Sequence, residues 1–365
     1  MRYIDGFRDG AAARALVARI SEAGERLRSM GRTARLMEVC GTHTMSIARH
    51  GIGRALPAGV ELLSGPGCPV CVTDTGYVDT AIELARRGAI VCTFGDMLRV
   101  PGSTGSLDLA RAEGAEIRIC YSPAEAAAIA RAEPERQVVF LAIGFETTVA
   151  PVVSLVGTAR REGLRNLSLL TAFKTVPPAL AALLDDPEVA IDALICPPHV
   201  SAIIGADAYR PLVERYGVPC VVAGFEPLDI LYAITELLGQ IAASTARLSN
   251  QYERVVRPAG NRRARELMER YLEPVDAVWR GIGVIRGSGL ALRPDYADFD
   301  AVLRHGVSIG EGRPDPGCRC GDVLKGKIAP TGCPLFGAAC TPAEPVGPCM
   351  VSSEGSCAAH YRYSR

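Results

Sequence analysis

Six cysteines crowd into forty positions near the carboxyl end of the chain: Cys318-Arg319-Cys320, twelve residues, Cys333, six residues, Cys340, eight residues, Cys349, seven residues and Cys357. Glycines 317, 321, 332, 337, 347 and 355 are interspersed among them. Such a backbone can wrap a cluster closely and turn amides toward sulfur. Three chemistries compete for these thiols. An iron–sulfur cluster with four cysteine ligands would leave two thiols to form a redox-active pair beside it. A structural zinc site needs four thiolates, usually as paired CxxC knuckles, and this stretch has no CxxC. A purely disulfide-bonded tail belongs to oxidising compartments. The iron–sulfur reading is favoured.

Three more cysteines stand among glycines and prolines. In Met37-Glu38-Val39-Cys40-Gly41-Thr42-His43-Thr44 an apolar run ends in a cysteine, and a histidine follows three residues later at the start of a helix. A thiol there meets helix amides that favour the thiolate, which makes it a nucleophile or a metal ligand. In Ser64-Gly65-Pro66-Gly67-Cys68-Pro69-Val70-Cys71 a lone CxxC follows the next apolar run. That motif suits thiol exchange or half of a soft-metal site. Cys40, Cys68 and Cys71 around one small volume, with His43, suit a soft metal such as iron. Loops at Phe94 to Gly102 (with Asp96), Gly144 to Thr148 and Pro197 to Ser201 each place a carboxylate or imidazole just past an apolar run. Taken singly each is a turn or cap; together they suggest a cleft. The other four cysteines, Cys92, Cys120, Cys196 and Cys220, lie in or beside apolar runs and read as core residues. Two segments are set aside. Gly321 to Ile328 mimics a phosphate-binding loop but ends in Ile328, not a hydroxyl residue, and Gly281 to Gly287 misses the dinucleotide fingerprint by one residue.

The elements that must position these residues follow from periodicity. The first thirty residues read as a helix, with Ala12, Leu16, Ile20 and Leu27 apolar. Apolar runs at 36–39, 60–63, 89–94, 117–120 and 138–143 then alternate with helical stretches such as 78–87 and 124–132, and further runs follow at 167–172, 193–196 and 220–223 before a long apolar helix at 228–243. This rhythm predicts parallel sheets with crossover helices. Ile143-Gly144-Phe145-Glu146 and Ala223-Gly224-Phe225-Glu226 echo one another after their apolar runs. The expected fold class is α/β: two parallel-sheet domains, 31–133 and 134–250, plus a third Cys-rich, iron–sulfur-binding unit from 1–30 and 251–365. The last segment opens with a charged helix at 262–272 and continues as a tail that side-chain burial alone would not hold.

Composition sets the outer limits. The chain has 365 residues, 48% hydrophobic and 22% charged, with 40 acidic against 40 basic residues, enough to bury cores of two or three domains. Charge balance without like-charge runs argues against nucleic acid or anionic membrane as a partner. No stretch reaches the apolar length of a membrane span, and the amino terminus carries Arg2, Asp5, Arg8 and Asp9 in place of an apolar leader. These features predict a cytoplasmic location, where 13 cysteines are not disulfide material.

Cys40-Gly41-Thr42-His43, Gly65 to Cys71, Gly144 to Thr148, Pro198 to Ser201 and the run from Cys318 to Tyr363, including Cys349-Met350-Val351-Ser352-Ser353-Glu354-Gly355, together resemble the hydrogenase formation protein HypD family, in order and over nearly the whole chain. The resemblance implies a maturation factor for [NiFe] hydrogenases. It would carry an iron with two cyanides and one carbon monoxide, Fe(CN)2CO, before delivery to the hydrogenase large subunit. It implies HypC as partner and HypE as transient cyanide donor, the latter carrying a thiocyanate that HypF derives from carbamoyl phosphate. It also implies a [4Fe-4S] cluster beside a redox-active cysteine pair, similar to ferredoxin:thioredoxin reductase. Carried over residue by residue, Cys40, Cys68 and Cys71 match the thiols of the iron site, with His43 and Asp96 in support. Cys318, Cys333, Cys340 and Cys357 are the expected cluster ligands, and Cys320 and Cys349 the pair. Electrons would then pass from the cluster through Cys320 and Cys349 to Cys68 and Cys71, while Cys40 helps hold the iron. That makes the chain an assembly scaffold with redox activity rather than a conventional turnover enzyme. The alternatives are a thiol-disulfide oxidoreductase acting through Cys68 and Cys71, and a metal-binding scaffold that only bridges partners.

Overall fold

A computed structural model describes residues 5–363; residues 1–4 and 364–365, including Arg2 and the extremities of the expected third unit, lie outside the described residues. Eleven strands are described: β1 (Ala34–Glu38), β2 (Val60–Ser64), β3 (Ile90–Thr93), β4 (Ile117–Ile119), β5 (Val138–Gly144), β6 (Leu167–Lys174), β7 (Ala193–Cys196), β8 (Cys220–Val222), β9 (Leu248–Asn250), β10 (Leu272–Trp279) and β11 (Gly283–Leu292). They form two sheets. The first has the order β2-β1-β7-β8-β9 and is parallel throughout. The second has the order β10-β11-β6-β5-β3-β4, with β3 to β6 parallel and the β10–β11 hairpin added antiparallel to β6. The α/β class with two parallel-dominated sheets is as expected.

Burial explains why these runs become strands. Every residue of β5 is buried, as is every residue of β3 and β7, the pattern of strands covered on both faces. Helices begin where the sequence supplies caps. Ser122 and Glu125 form a capping box for Pro123–Ala132, with proline in the first turn, where its missing N–H costs nothing. Three apolar clusters result. One lies on the second sheet beneath the helices Pro123–Ala132 and Glu146–Glu162 and joins Phe140, Val152 and Leu169. Another lies on the first sheet, where Leu16 and Ile20 meet Leu36, Val221 and Ile234. The largest draws on both sheets, uniting Met37 and Leu194 with Val139 and Leu141.

Three expectations are corrected. The boundary at 133/134 does not separate the sheets, because β1 pairs with β7 while β3 pairs with β5. The amino-terminal helix Gly10–Ser29 does not join the cysteine-rich tail. Its apolar stripe packs on Pro227–Ala242 over the first sheet, where the complementary apolar face is. Residues 251–300 contribute to the second sheet: the Arg262–Tyr271 helix lies against Glu146–Glu162, and the hairpin extends the sheet beyond β6. The tail itself does bury apolar side chains. Leu324, Met350 and Ala358 enter the same cluster as Met37 and Leu194, so burial contributes to holding it.

Candidate functional site

In an open parallel sheet, ligands gather at the carboxyl ends of strands where the strand order reverses. In the first sheet the chain runs outward from β1 to β2, then resumes on the other side with β7. The loops leaving that edge carry Cys40 and His43 after β1, Cys68 and Cys71 after β2, His199 after β7, and Phe225 after β8. The corresponding reversal in the second sheet falls between β3 and β5, whose following loops carry Asp96 and Glu146. The two echo motifs are thus equivalent strand-to-helix corners. Phe145 stacks on Trp279 at 5.8 Å, and Phe225 packs against both His43 (4.9 Å) and His199 (4.5 Å).

Cys40 caps the helix Gly41–Arg49. Its neighbour in space is the CxxC loop, where the Gly41 amide donates to the Gly67 carbonyl (3.1 Å). A Cβ on Gly67 would lie 2.3 Å from the Cys40 nitrogen, so only glycine lets these two loops touch. The expected thiolate is not favoured here. Burial pushes the Cys40 thiol up to about 12, with the Glu354 and Glu38 carboxylates adding to it, and the amides of Thr42 and His43 do not offset this. A bound cation would reverse the balance by replacing the lost hydration.

His43 is wholly buried, and burial holds it down to about 4. Nε2 faces two carbonyl oxygens, Ala223 (3.2 Å) and Gly224 (3.0 Å), so this nitrogen carries the proton of the neutral ring. Nδ1 is buried with no hydrogen-bond partner among the described residues. His43 therefore ties the β1 corner to the β8 corner. Asp96, by contrast, is exposed in the short turn Gly95–Met97 after β3.

Two acids escaped the sequence reading. Glu38 accepts hydrogen bonds from the Cys40 amide (3.1 Å) and the Thr44 hydroxyl (2.5 Å), and burial raises it to about 8. It also reaches the wall of a cavity of about 430 Å³ that Arg54, Ser64, Lys327 and His360 help to line. The available signal was an acid inside the apolar run Leu36 to Val39. Glu354 accepts from the Thr42 hydroxyl (2.6 Å) and packs so tightly on Gly41 that a Cβ there would lie 2.4 Å from its own. The tail is thereby clasped to the Cys40 loop.

All thirteen cysteines are free, and all but Cys318 are buried. The Cys71 amide donates to the Cys68 sulfur (3.3 Å), while the Cys71 sulfur lies 3.9 Å from the Pro348 carbonyl, next to Cys349. Burial raises the Cys71 thiol well above its ordinary value, and Cys68, Cys349 and Cys320 add to this. In the tail, Cys349 contacts Cys357 sulfur to sulfur (3.2 Å), and Cys320 interacts with both Cys318 and Cys349. Cys333 and Cys340 bound a short loop whose Phe336 meets His360 and Tyr361 of the helix Ser356–Tyr363, the helix that carries Cys357. A Cβ on Gly347 would strike the Cys318 sulfur at 2.6 Å, a cradle of the kind a sulfur-bound cluster needs. Among the described residues, no three His, Cys, Asp or Glu side chains converge as metal ligands. Free, buried, soft donors with glycines pressed against sulfur nonetheless fit an iron–sulfur group. Cys92 of β3 with Cys120 just past β4, and Cys196 of β7 with Cys220 of β8, are buried neighbours, as core residues should be.

Two parallel-dominated sheets with free thiols buried where their loops meet the tail define a thiol-rich α/β protein. The HypD family model, described as "Hydrogenase formation hypA family", matches residues 11–364. The hydrogenase maturation factor HypD of Azotobacter vinelandii is 48% identical over 373 residues, covering 100% of this chain and 97% of the relative. That of Escherichia coli K12 is 43% identical over 366 residues, covering 100% and 98%. That of Rhodobacter capsulatus is 44% identical over 370 residues, with 100% and 98% covered. The chain belongs to the HypD family.

Proposed function

We propose that this chain is a cytoplasmic maturation factor for [NiFe] hydrogenase that holds an iron carrying two cyanides and one carbon monoxide as its cargo. Cys40, with Cys68 and Cys71, binds that iron, and HypC shares the task. HypE delivers cyanide, and the hydrogenase large subunit receives the product. Cyanide and carbon monoxide are strong-field ligands, and a thiolate-rich pocket suits the low-spin iron they create. His43 and Glu38 keep the Cys40 corner rigid through the bonds described above. Cys318, Cys333, Cys340 and Cys357 would hold a [4Fe-4S] cluster, which when bound supplies one-electron chemistry beside Cys320 and Cys349. Before the iron arrives, the chain's own thiols exchange in a balanced step that frees Cys68 and Cys71 to meet it. A Cys68–Cys71 disulfide takes two electrons and two protons from the Cys320 and Cys349 thiols, which close as a disulfide in turn.

The observation that best supports this reading is the place of Cys71, whose amide donates to the Cys68 sulfur on one side while its thiol faces Cys349 and Cys320 on the other. The Cys71 amide on the Cys68 sulfur also suits a dithiol oxidoreductase with a protein substrate, which makes that the second reading. Infrared spectroscopy of the anaerobically purified chain with HypC separates them. Cyanide and carbonyl stretches that vanish in Cys40→Ala are the expected result. Their absence from the parent, together with reduction of insulin disulfides, selects the oxidoreductase, and their full retention in Cys40→Ala removes Cys40 from the iron site.

A further inference from the structure

The edge of the second sheet opposite its Asp96 and Glu146 corners has no part in the thiol chemistry, and it carries a cleft of about 750 Å³. Arg160, Arg165 and Arg304 line this cleft together with Phe299 and Leu303, and Asp298 is the one acid in its wall. Three pieces of chain place them. The helix Glu146–Glu162 carries Arg160 in its last turn and stops at Gly163, whose left-handed φ of +67° turns the chain toward β6. Arg165 lies in that turn, two residues before β6 begins. Arg304 belongs to the short helix Ala301–His305.

These three cations are short of anions. Among the described residues the Arg165 guanidinium has no hydrogen-bond or ion-pair partner, and that of Arg160 meets only the ring of Tyr296, 5.8 Å from its centre. Arg304 donates to two backbone carbonyls, Leu167 (2.7 Å) and Asp298, while the Asp298 carboxylate acts on it only from beyond ion-pair distance. Beside the cleft the pairing is ordinary, with Arg131 on the Glu162 carboxylate. The carbonyl end of the long helix accounts for Arg160, since a cation is favoured in a last turn, but not for Arg165 beyond it. One exposed guanidinium is satisfied by water. Three around one cleft, with Leu303 left 66% exposed among them and Phe299 half-buried, make an amphipathic surface.

We infer that this cleft is a docking surface for an acidic segment of a partner protein, one in which an apolar side chain is flanked by carboxylates. Guanidinium groups present forked donors that match carboxylate oxygens in pairs, and clusters of arginine are a recurrent means of holding acidic motifs. The apolar side chain of the segment covers Leu303 and Phe299. A compact phosphate fits less well, because the helix Glu146–Glu162 presents its carbonyl end to the cleft and a phosphate leaves Leu303 bare. The cleft lies at the amino end of β6, so a segment held there leaves the loops at the carboxyl ends of the strands open. Binding carried by exposed arginines weakens as salt is added.

The test titrates the full chain into a fluorescein-labelled dodecapeptide of Glu-Glu-Leu repeats and follows fluorescence anisotropy at low and at physiological salt. The parent should bind, more weakly at the higher salt, and should ignore the matching Gln-Gln-Leu peptide. Arg165→Glu should lose about tenfold in affinity, and Arg165→Lys should stay within about threefold of the parent. Leu303→Ser should lose about fivefold. A parent that does not bind, or that binds both peptides alike, overturns the inference, as does unchanged affinity in Arg165→Glu or in Leu303→Ser. Displacement of the peptide by millimolar inorganic phosphate marks a phosphate site and overturns it too. Should Arg165→Glu lose its native circular dichroism, Arg165→Gln takes its place, with a loss of about threefold expected and unchanged affinity overturning the inference.

Discussion

Burial dominates the chemistry of individual residues in this protein. Glu146 shows it away from the thiols: its Oε1 accepts the Val176 amide (2.9 Å), its Oε2 is buried without a partner among the described residues, and burial raises it from 4.5 to about 7. Between those values the folded chain keeps a proton that the unfolded chain releases. Stability therefore falls as pH climbs through that window and stays lower above it. Glu146 contributes up to about 3 kcal/mol of that fall, and Glu146→Gln, which keeps the acceptor for Val176, should flatten the slope accordingly. Urea unfolding at intervals from pH 4.5 to 8 measures it, and parallel slopes for parent and variant contradict it. Residue types and spacing made Cys40, Cys68, Cys71 and the tail cysteines legible as a chemical set. What they could not convey was dehydration: an exposed Cys40 at a helix start would favour the thiolate, whereas the buried one is pushed up to about 12.

At the scale of elements, strands buried on both faces were the easiest to read, because β5 and β7 are continuous apolar runs bounded by turn residues. The β10–β11 hairpin was missed for the opposite reason. β10 lies at the edge of its sheet with most of its length exposed or half-exposed, admits Pro274, and so lacks clean alternation. Its turn nonetheless packs tightly on Gly321, the residue after Cys320. Gly281→Val would combine a β-branched side chain at positive φ with a collision against Gly321. We expect a loss of about 2 kcal/mol or more in urea unfolding, with faster alkylation of Cys320 under native conditions. An unchanged alkylation rate would show that the turn does not shield that thiol.

At the scale of the whole molecule, the sheets share the chain in alternation: strands one and two wait for seven to nine, while three to six build the other sheet between them. Residues 31–133 contain β1 to β4, but neither the β7 partner of β1 nor the β5 partner of β3. That segment alone should remain unfolded, giving a disordered circular dichroism spectrum and poorly dispersed amide resonances, and a cooperative thermal transition would refute this. Local periodicity revealed β1 to β8, but it carries no information about which sheet each one enters, so a contiguous division looked natural.

The hydrogen bond from the Arg35 amide to the Asp192 carboxylate (2.8 Å) closes a span of 157 residues. During synthesis at about 5–20 residues per second, the edge of β1 that will meet β7 stays uncovered for roughly ten to thirty seconds. An apolar strand left open on the ribosome for that long is a template for wrong pairing. The supply of competent protein in the cell is thus set partly by how well nascent β1 is shielded, a demand for chaperones that follows from the strand order itself.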